Sequence, residues 1–319
     1  MRKWMQPPDK KLMLFAAGSL VMAGVGAWLY ASRVEIRRYQ LESVDIHTTY
    51  GGSGAAPSLR ILHISDLHLS QPESHKIEFL QKITDDEYDM IILTGDCFED
   101  FSGIAYASKI IKNKPRLGAY AVLGNHDYYA YTMWNKTLGR IYRSFRHPSI
   151  RRNVDSMVAA LQDGGFNVLS NEFKSHENEK VFVVGIDYFD IDDAELNSIL
   201  AQAPDDHLVL ALQHVPHKLS RIAAMGVDAA FCGHTHGGQV RIPGFGAIIT
   251  DSELSRAEAS GLLWRDKTAI HVSRGLGADP RSNFRFFCPP HATVVNIHRT
   301  ARTVSQSPVP VQDVVKRQS

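Results

Sequence analysis

Five short clusters of this 319-residue sequence hold nine side chains of types that bind divalent metals. They are Asp66 with His68; Asp96; Asn125, His126 and Asp127; His214; and His234 with His236. Carboxylate, imidazole and amide oxygen form the donor set of hard and borderline divalent ions. No cysteine belongs to the set, which argues against a structural zinc finger. Glycine precedes three of the clusters, as Gly95, Gly124 and Gly233. Glycine at such a point allows a sharp turn or a close backbone approach. Asp-x-His alone arises by chance, and an isolated histidine is commonly a satisfied core or surface group. Five clusters in order over residues 66–236 are a strong joint signal.

The clusters lie where short apolar runs end. Residues 60–64 run into Ser65-Asp66, 90–93 into Thr94-Gly95-Asp96, and 119–123 into Gly124-Asn125-His126-Asp127. Residues 181–186 stop at Asp187, 208–213 at His214, and 228–232 at Gly233-His234-Thr235-His236. Apolar runs of this length, bounded by turn signals, predict buried strands. Helical periodicity falls between them: Ile77, Phe79, Leu80 and Ile83 share one face, as do Val154, Met157, Val158 and Leu161 before Gly164-Gly165. Alternating strands and helices predict a layered α/β fold. The later runs 269–273 and 293–297 have short connections and predict some antiparallel pairing. Ligands of open α/β sheets gather beyond the carboxyl ends of the strands, where these polar clusters lie.

Asp66-x-His68, Gly95-Asp96, Gly124-Asn125-His126-Asp127, His214 and Gly233-His234-Thr235-His236 resemble, in this order, the calcineurin-like metallophosphoesterase superfamily. The resemblance spans nearly the whole globular part. It implies a four-layer α-β-β-α sandwich carrying two divalent ions, manganese first, with iron(II) or zinc as alternatives. It assigns Asp66, His68 and His236 to one ion, Asn125, His214 and His234 to the other, and Asp96 to both. Two such ions about 3.5–4 Å apart clamp a phosphoryl group and acidify water. His126 resembles the family histidine that ligates no metal and steadies the phosphoryl charge or protonates the leaving oxygen. Asp127 is expected to orient His126 through a hydrogen bond; the alternative is a turn residue. His63 and His217 acquire no task.

Composition excludes other classes. Thirty-five Lys and Arg against 34 Asp and Glu leave a formal charge of +1, which fits neither bulk nucleic-acid binding nor an acidic tail. With 44% hydrophobic and 22% charged residues the chain is globular, and three cysteines are too few for a disulfide scaffold. Residues 1–11 are a basic lead, and residues 12–31 are uncharged and long enough to span a bilayer, which needs about 20 apolar residues. An uncleaved anchor is expected; a cleaved signal peptide, with Val25 and Ala27 at its end, is the alternative. No Arg-Arg pair precedes the run, so a twin-arginine signal is not expected. Four basic residues before it and three after barely orient it, with a slight lean to an inward N-terminus. Residues 32–58 read as a linker ending in Gly-Gly-Ser-Gly, 59–300 as the catalytic domain, and 301–319 as a flexible tail.

Further likeness lies in Gly237-Gly238-Gln239, in Ser273-Arg274-Gly275-Leu276-Gly277 and in Arg285 to Pro290. These resemble a membrane-associated bacterial phosphodiesterase branch that includes an anchored UDP-2,3-diacylglucosamine hydrolase. His291 departs from it, since an acidic residue is expected after Pro289-Pro290. Residues 128–153 carry six basic residues, no acid and many aromatics. Trp134, Arg140, Arg143, Arg146, Arg151 and Arg152 are expected to bind the substrate's phosphate and apolar parts or to face the membrane. The alternative is a basic hairpin packed on the domain with solvated charges. The expected substrate is an amphiphilic phosphate ester or pyrophosphate, UDP-2,3-diacylglucosamine first, split to UMP and a lipid monophosphate in lipid A synthesis at the cytoplasmic face of the inner membrane. A broad envelope phosphodiesterase and a metal-bound scaffold without turnover are the alternatives. Membrane lipids are expected contacts; a nucleic acid or protein partner is not.

Overall fold

The computed structural model describes residues 18–26, 30, 38–50, 58–131, 150–189, 191–278 and 284–301. In chain order its elements begin β1 (Gln40–Tyr50), β2 (Leu59–Ile64), α1 (Ser74–Ile83), β3 (Met90–Thr94), a 3₁₀ segment (Phe101–Lys109) and β4 (Ala119–Val122). Next come α2 (Asn125–Tyr128), β5 (Tyr129–Ala130), β6 (Ile150–Arg151), α3 (Asp155–Asp163), β7 (Phe166–Val168), β8 (Glu172–His176) and β9 (Val181–Ile186). They continue with α4 (Asp193–Leu200), β10 (Leu208–Gln213), α5 (Leu219–Ala224) and β11 (Ala229–Cys232). The chain closes with β12 (Arg241–Ile242), β13 (Gly246–Ala247), β14 (Gly261–Arg265), β15 (Thr268–Val272) and β16 (His291–Ala301).

Two six-stranded sheets form, in the orders β1-β16-β2-β3-β4-β7 and β14-β15-β11-β10-β9-β8. Their centres are parallel, as β2-β3-β4-β7 and β9-β10-β11-β15. The antiparallel pairs expected late in the chain are β14 with β15 and β16 with β2.

Side chains of these strands alternate between two cores, as the period of two requires. Ile61, Met90, Ile92, Tyr120 and Val122 of one sheet meet Val181, Val183, Leu208, Leu210 and Phe231 of the other in a shared core. The intervening residues face outward to helices. Leu62, Ile64, Ile91 and Leu93 pack on Ile77 and Leu80 of α1 and on Met157 and Leu161 of α3. Val184, Val209, Ala211 and Ile270 pack on Leu196 and Ile199 of α4 and on Leu219 and Ile222 of α5. The result is four layers, helix–sheet–sheet–helix. Burial on both faces explains why the central strands read as continuous apolar runs rather than alternating ones.

One expectation needs correction. Residues 40–50 are not linker: they form β1, paired along its full length with β16. Glu42, Val44, Ile46 and Thr48 turn inward while Leu41, Ser43, Asp45 and His47 turn out, so the polar half of an edge strand resembles a linker in composition. Among the described residues no helix is long and apolar enough to cross a membrane. The run 12–31 is described only at 18–26 and 30. Trp134, Arg140, Arg143 and Arg146 lie outside the described residues, as does the tail beyond 301. The two ends of the 128–153 stretch pair as β5 and β6.

β1 also accounts for His291. The His291 ring accepts the Arg274 backbone N–H at Nε2, 2.9 Å, and sets Nδ1 2.9 Å from Glu42 Oε2, the arrangement of a neutral imidazole. Arg274 also pairs with Glu42. The acidic group missing after the two prolines therefore comes from the edge strand. Burial alone would raise the Glu42 carboxyl, but the close His291 ring and the nearby Arg274 charge outweigh it and hold the group at about 2 instead of 4.5. A depressed acid contributes stability above its unfolded pKa and loses it as pH falls through the folded one. Urea titrations should therefore place wild type above Glu42→Gln at neutral pH. The gap should close as pH falls from 4.5 toward 2; a constant gap would deny the linkage.

Candidate metal centre

All five polar clusters meet at one edge of the sandwich, in the loops that follow β2, β3, β4, β10 and β11. Backbone hydrogen bonds lace these loops together: Asp66 N–H to Gly95 O, His68 N–H to Asp96 O, Gly233 N–H to His214 O, and Gly277 N–H to Asp66 O. Asp66, His68, Asp96, His234 and His236 all have positive φ, between 44° and 70°. That conformation is unfavourable for residues bearing a Cβ and persists only where the surroundings impose it. Here it turns five side chains toward one point. Close approach also explains two glycines. A Cβ on Gly233 would lie 1.9 Å from Ser65 Oγ and 2.5 Å from Asp66 Oδ2, and one on Gly124 would lie 2.3 Å from Asp96 Oδ1.

Among the described residues the donor atoms form three groups, of which two share Asp96 and the third is His68, Glu99 and His126. Asp66, His68, Asp96 and His236 bring ligand atoms within 4.8 Å of one another, and so do Asp96, His214 and His234. Asp96 Oδ2 is 3.5 Å from His68 Nε2 and 3.3 Å from His214 Nε2. Asn125 Oδ1 is 3.2 Å from His214 Nε2, and Asn125 Nδ2 donates to the Tyr131 hydroxyl. Asp66 accepts the His234 backbone N–H and the Ser65 hydroxyl.

Three of the rings are oriented in the same way. The Nδ1 of His68 lies 2.9 Å from Glu99 Oε2, that of His214 2.8 Å from Thr94 O, and that of His236 3.1 Å from Gly277 O. Each therefore keeps its proton on Nδ1 and turns Nε2 toward the carboxylates, the arrangement typical of metal-bound imidazole. His68 Nε2 is buried without a hydrogen-bond partner. Burial also pushes the Asp66 carboxyl up to about 6, with Asp96 reinforcing it. An orphaned imidazole nitrogen facing two buried carboxylates is the environment a divalent cation satisfies, so these residues fit the metals the sequence implies.

The ring of His126 is held differently from expectation. Its Nδ1 lies 3.1 Å from Glu99 Oε2, the oxygen that also meets His68. Burial would raise Glu99, but its contacts with His126 and His68 keep it well below the usual carboxylate range. Glu99 was not among the expected site residues; its only sequence signal is a carboxylate after the buried Cys97-Phe98 pair.

Asp127 does not touch the His126 ring. Its carboxylate accepts the backbone N–H groups of Cys97, Phe98 and Gly124 at 2.8–3.2 Å, capping the turn as the alternative reading had it. Asp127→Ala should thus strand three buried donors. Each costs about 1–3 kcal/mol unpaired, so a loss of roughly 3 kcal/mol or more is expected in urea unfolding. A loss below about 1 kcal/mol would contradict the capping role.

Arg152 also changes role. Its guanidinium donates to His126 O at 2.7 Å and Glu99 O at 2.6 Å, clamping the two loops instead of reaching into solvent. Arg151 stays at the rim, its guanidinium 5.2 Å from the centre of the Phe189 ring.

Residues 59–238 match the family described as calcineurin-like phosphoesterases. The metallophosphoesterase YkuE of Bacillus subtilis is 25% identical over 298 residues, covering 89% of this chain and 94% of its own. The UDP-2,3-diacylglucosamine pyrophosphatase LpxG of Chlamydia muridarum is 26% identical over 317 residues, covering 87% and 94%. The phosphodiesterase YaeI of Escherichia coli K12 is 28% identical over 256 residues, covering 76% and 83%.

Proposed function

The chain belongs to the calcineurin-like phosphoesterase family, and from that premise we propose that it hydrolyses a phosphoester or pyrophosphate bond in a membrane-derived substrate, UDP-2,3-diacylglucosamine in the first instance. The observation that carries the hydrolase is the pair of donor groups sharing Asp96. The lipid substrate is supported by the likeness to LpxG over 87% of the chain and by the uncharged apolar run 12–31. We assign Asp66, His68 and His236 to one metal, Asn125, His214 and His234 to the other, and Asp96 to both. Mn²⁺ is the ion for assay, and Fe²⁺ or Zn²⁺ suit the same donors.

When bound, the cations supply Lewis acidity toward the phosphoryl oxygens. The protein's own groups do the rest. Glu99 holds His126 by Nδ1, which leaves Nε2 as the atom that moves a proton to the departing oxygen. Thr94 O, Gly277 O and Glu99 keep three ligand rings in one tautomer, so the centre needs little reorganisation on binding metal. The Arg152 clamp keeps the loops bearing His126 and Glu99 in register.

Release of UMP from UDP-2,3-diacylglucosamine by the Mn²⁺-loaded protein tests the reading. Yield no greater than that of an Asp96→Ala control would refute the substrate. We further propose that residues 12–31 anchor the enzyme in the cytoplasmic membrane with the catalytic domain on the cytoplasmic face. Digestion of that domain by protease added to intact spheroplasts would refute this orientation.

A further inference from the structure

Beside the metal centre lies a cavity of about 440 Å³ lined by Tyr129, Tyr131, Tyr188 and Phe189. It adjoins the site directly. The Tyr131 hydroxyl accepts from Asn125 Nδ2 at 3.3 Å, and the Tyr131 ring centre is 4.9 Å from that of His126. The adjoining turn is firmly seated. Asp187 accepts the Tyr128 hydroxyl at 2.8 Å and the Ser170 hydroxyl at 2.6 Å, fixing the turn that presents Tyr188 and Phe189. Phe189 rests on Tyr128 with ring centres 4.6 Å apart, yet it remains 46% exposed. Contacts with Tyr129 and Tyr188 also hold this ring in place, while part of it stays open to water beside the metal centre.

We propose that this cavity seats a planar ring carried by one of the groups on the substrate phosphate, a nucleobase in the natural substrate. The inference rests on the phosphoesterase reading and deepens it. Aromatic faces bind bases by stacking, whatever the base, and do so best when held in advance. Three of the four rings carry a hydroxyl, and those of Tyr131 and Tyr188 bond to each other, which fixes the two rings. A long alkyl chain needs apolar enclosure, which an open cleft with tyrosine hydroxyls does not provide. Arg151, over the Phe189 ring, adds positive charge at the rim, where a phosphate joined to the base would pass. The contact from Tyr131 to Asn125 puts this seat next to the metal centre, where the phosphate would be held.

Competitive inhibition isolates the base. Hydrolysis of methyl p-nitrophenyl phosphate by the full-length, Mn²⁺-loaded protein is followed with UMP, ribose 5-phosphate or decyl phosphate as inhibitor. UMP and ribose 5-phosphate differ by the base alone, so UMP should bind about tenfold more tightly. Phe189→Ala should bring that ratio close to one, and Phe189→Trp, which restores a stacking face at this exposed position, should recover it. Equal inhibition by UMP and ribose 5-phosphate in the wild type would overturn the base seat. So would a ratio that survives both Phe189→Ala and Tyr188→Ala, or decyl phosphate as the tightest of the three. Where the methyl ester is not turned over, UMP or ribose 5-phosphate is titrated against UDP-2,3-diacylglucosamine hydrolysis, and absence of both activities would overturn the phosphoesterase reading instead.

Discussion

Asp96→Ala should lower hydrolysis by at least about 10³-fold, because charge stabilisation worth several kcal/mol would depend on the two ions that its carboxylate would help to hold. The residue is unusual in serving both donor groups. Its Oδ2 faces His68 and His214, while Oδ1 accepts the His126 backbone N–H at 2.8 Å. In the proposed assignment, removing the carboxylate would leave each metal one anionic donor short, and the second group would then hold only imidazole and amide. Metal content measured by plasma mass spectrometry should fall from about two ions per chain to below one.

Asp96→Asn separates charge from shape. Asparagine tolerates the positive φ at this position and can still accept the His126 N–H. It should fold as wild type and still lose metal. Two ions retained in either variant would show that Asp96 is not the bridge.

His126→Ala should behave in the opposite way: full metal content, with turnover of an alkyl phosphodiester reduced by about 10²–10⁴-fold, the range of a positioned acid. The loss should depend on the leaving group. An alkoxide needs a proton as the bond breaks, whereas p-nitrophenolate departs without one, so the nitrophenyl ester should suffer less. An equal loss on both esters would move His126 from proton donor to a purely electrostatic role. Metal loss in this variant would make it a ligand. Glu99→Gln should lower both activity and metal affinity, by about 10–100-fold, because one carboxylate oxygen serves His126 and His68 together.

Asp66, His68, Asp96, Asn125, His214, His234 and His236 were legible because each follows an apolar run that could only be a buried strand. Asp127 was legible as a site residue, but its role was misjudged. Adjacent residues in a turn point in different directions, and its carboxylate meets the amides of Cys97, Phe98 and Gly124 instead of the neighbouring ring. Arg152 was expected in a substrate pocket from charge alone. Only folding shows that two carbonyls already occupy it. β1 was missed because an edge strand buries one face, so its polar residues hid the alternation of Glu42, Val44, Ile46 and Thr48.

By itself the sequence determined the fold class, the strand ends and the donor chemistry, since hydrophobic period, glycine placement and residue type are local properties. Tertiary structure alone decided which groups share a proton, a metal or a wall. Glu99 lies 31 positions from His68 and 27 from His126 yet joins them. Tyr188 and Phe189 follow a strand of the second sheet and still meet Tyr129 and Tyr131, which come after a strand of the first. Such contacts arise from sheet order and loop lacing across the sandwich, and no local pattern along the chain encodes them.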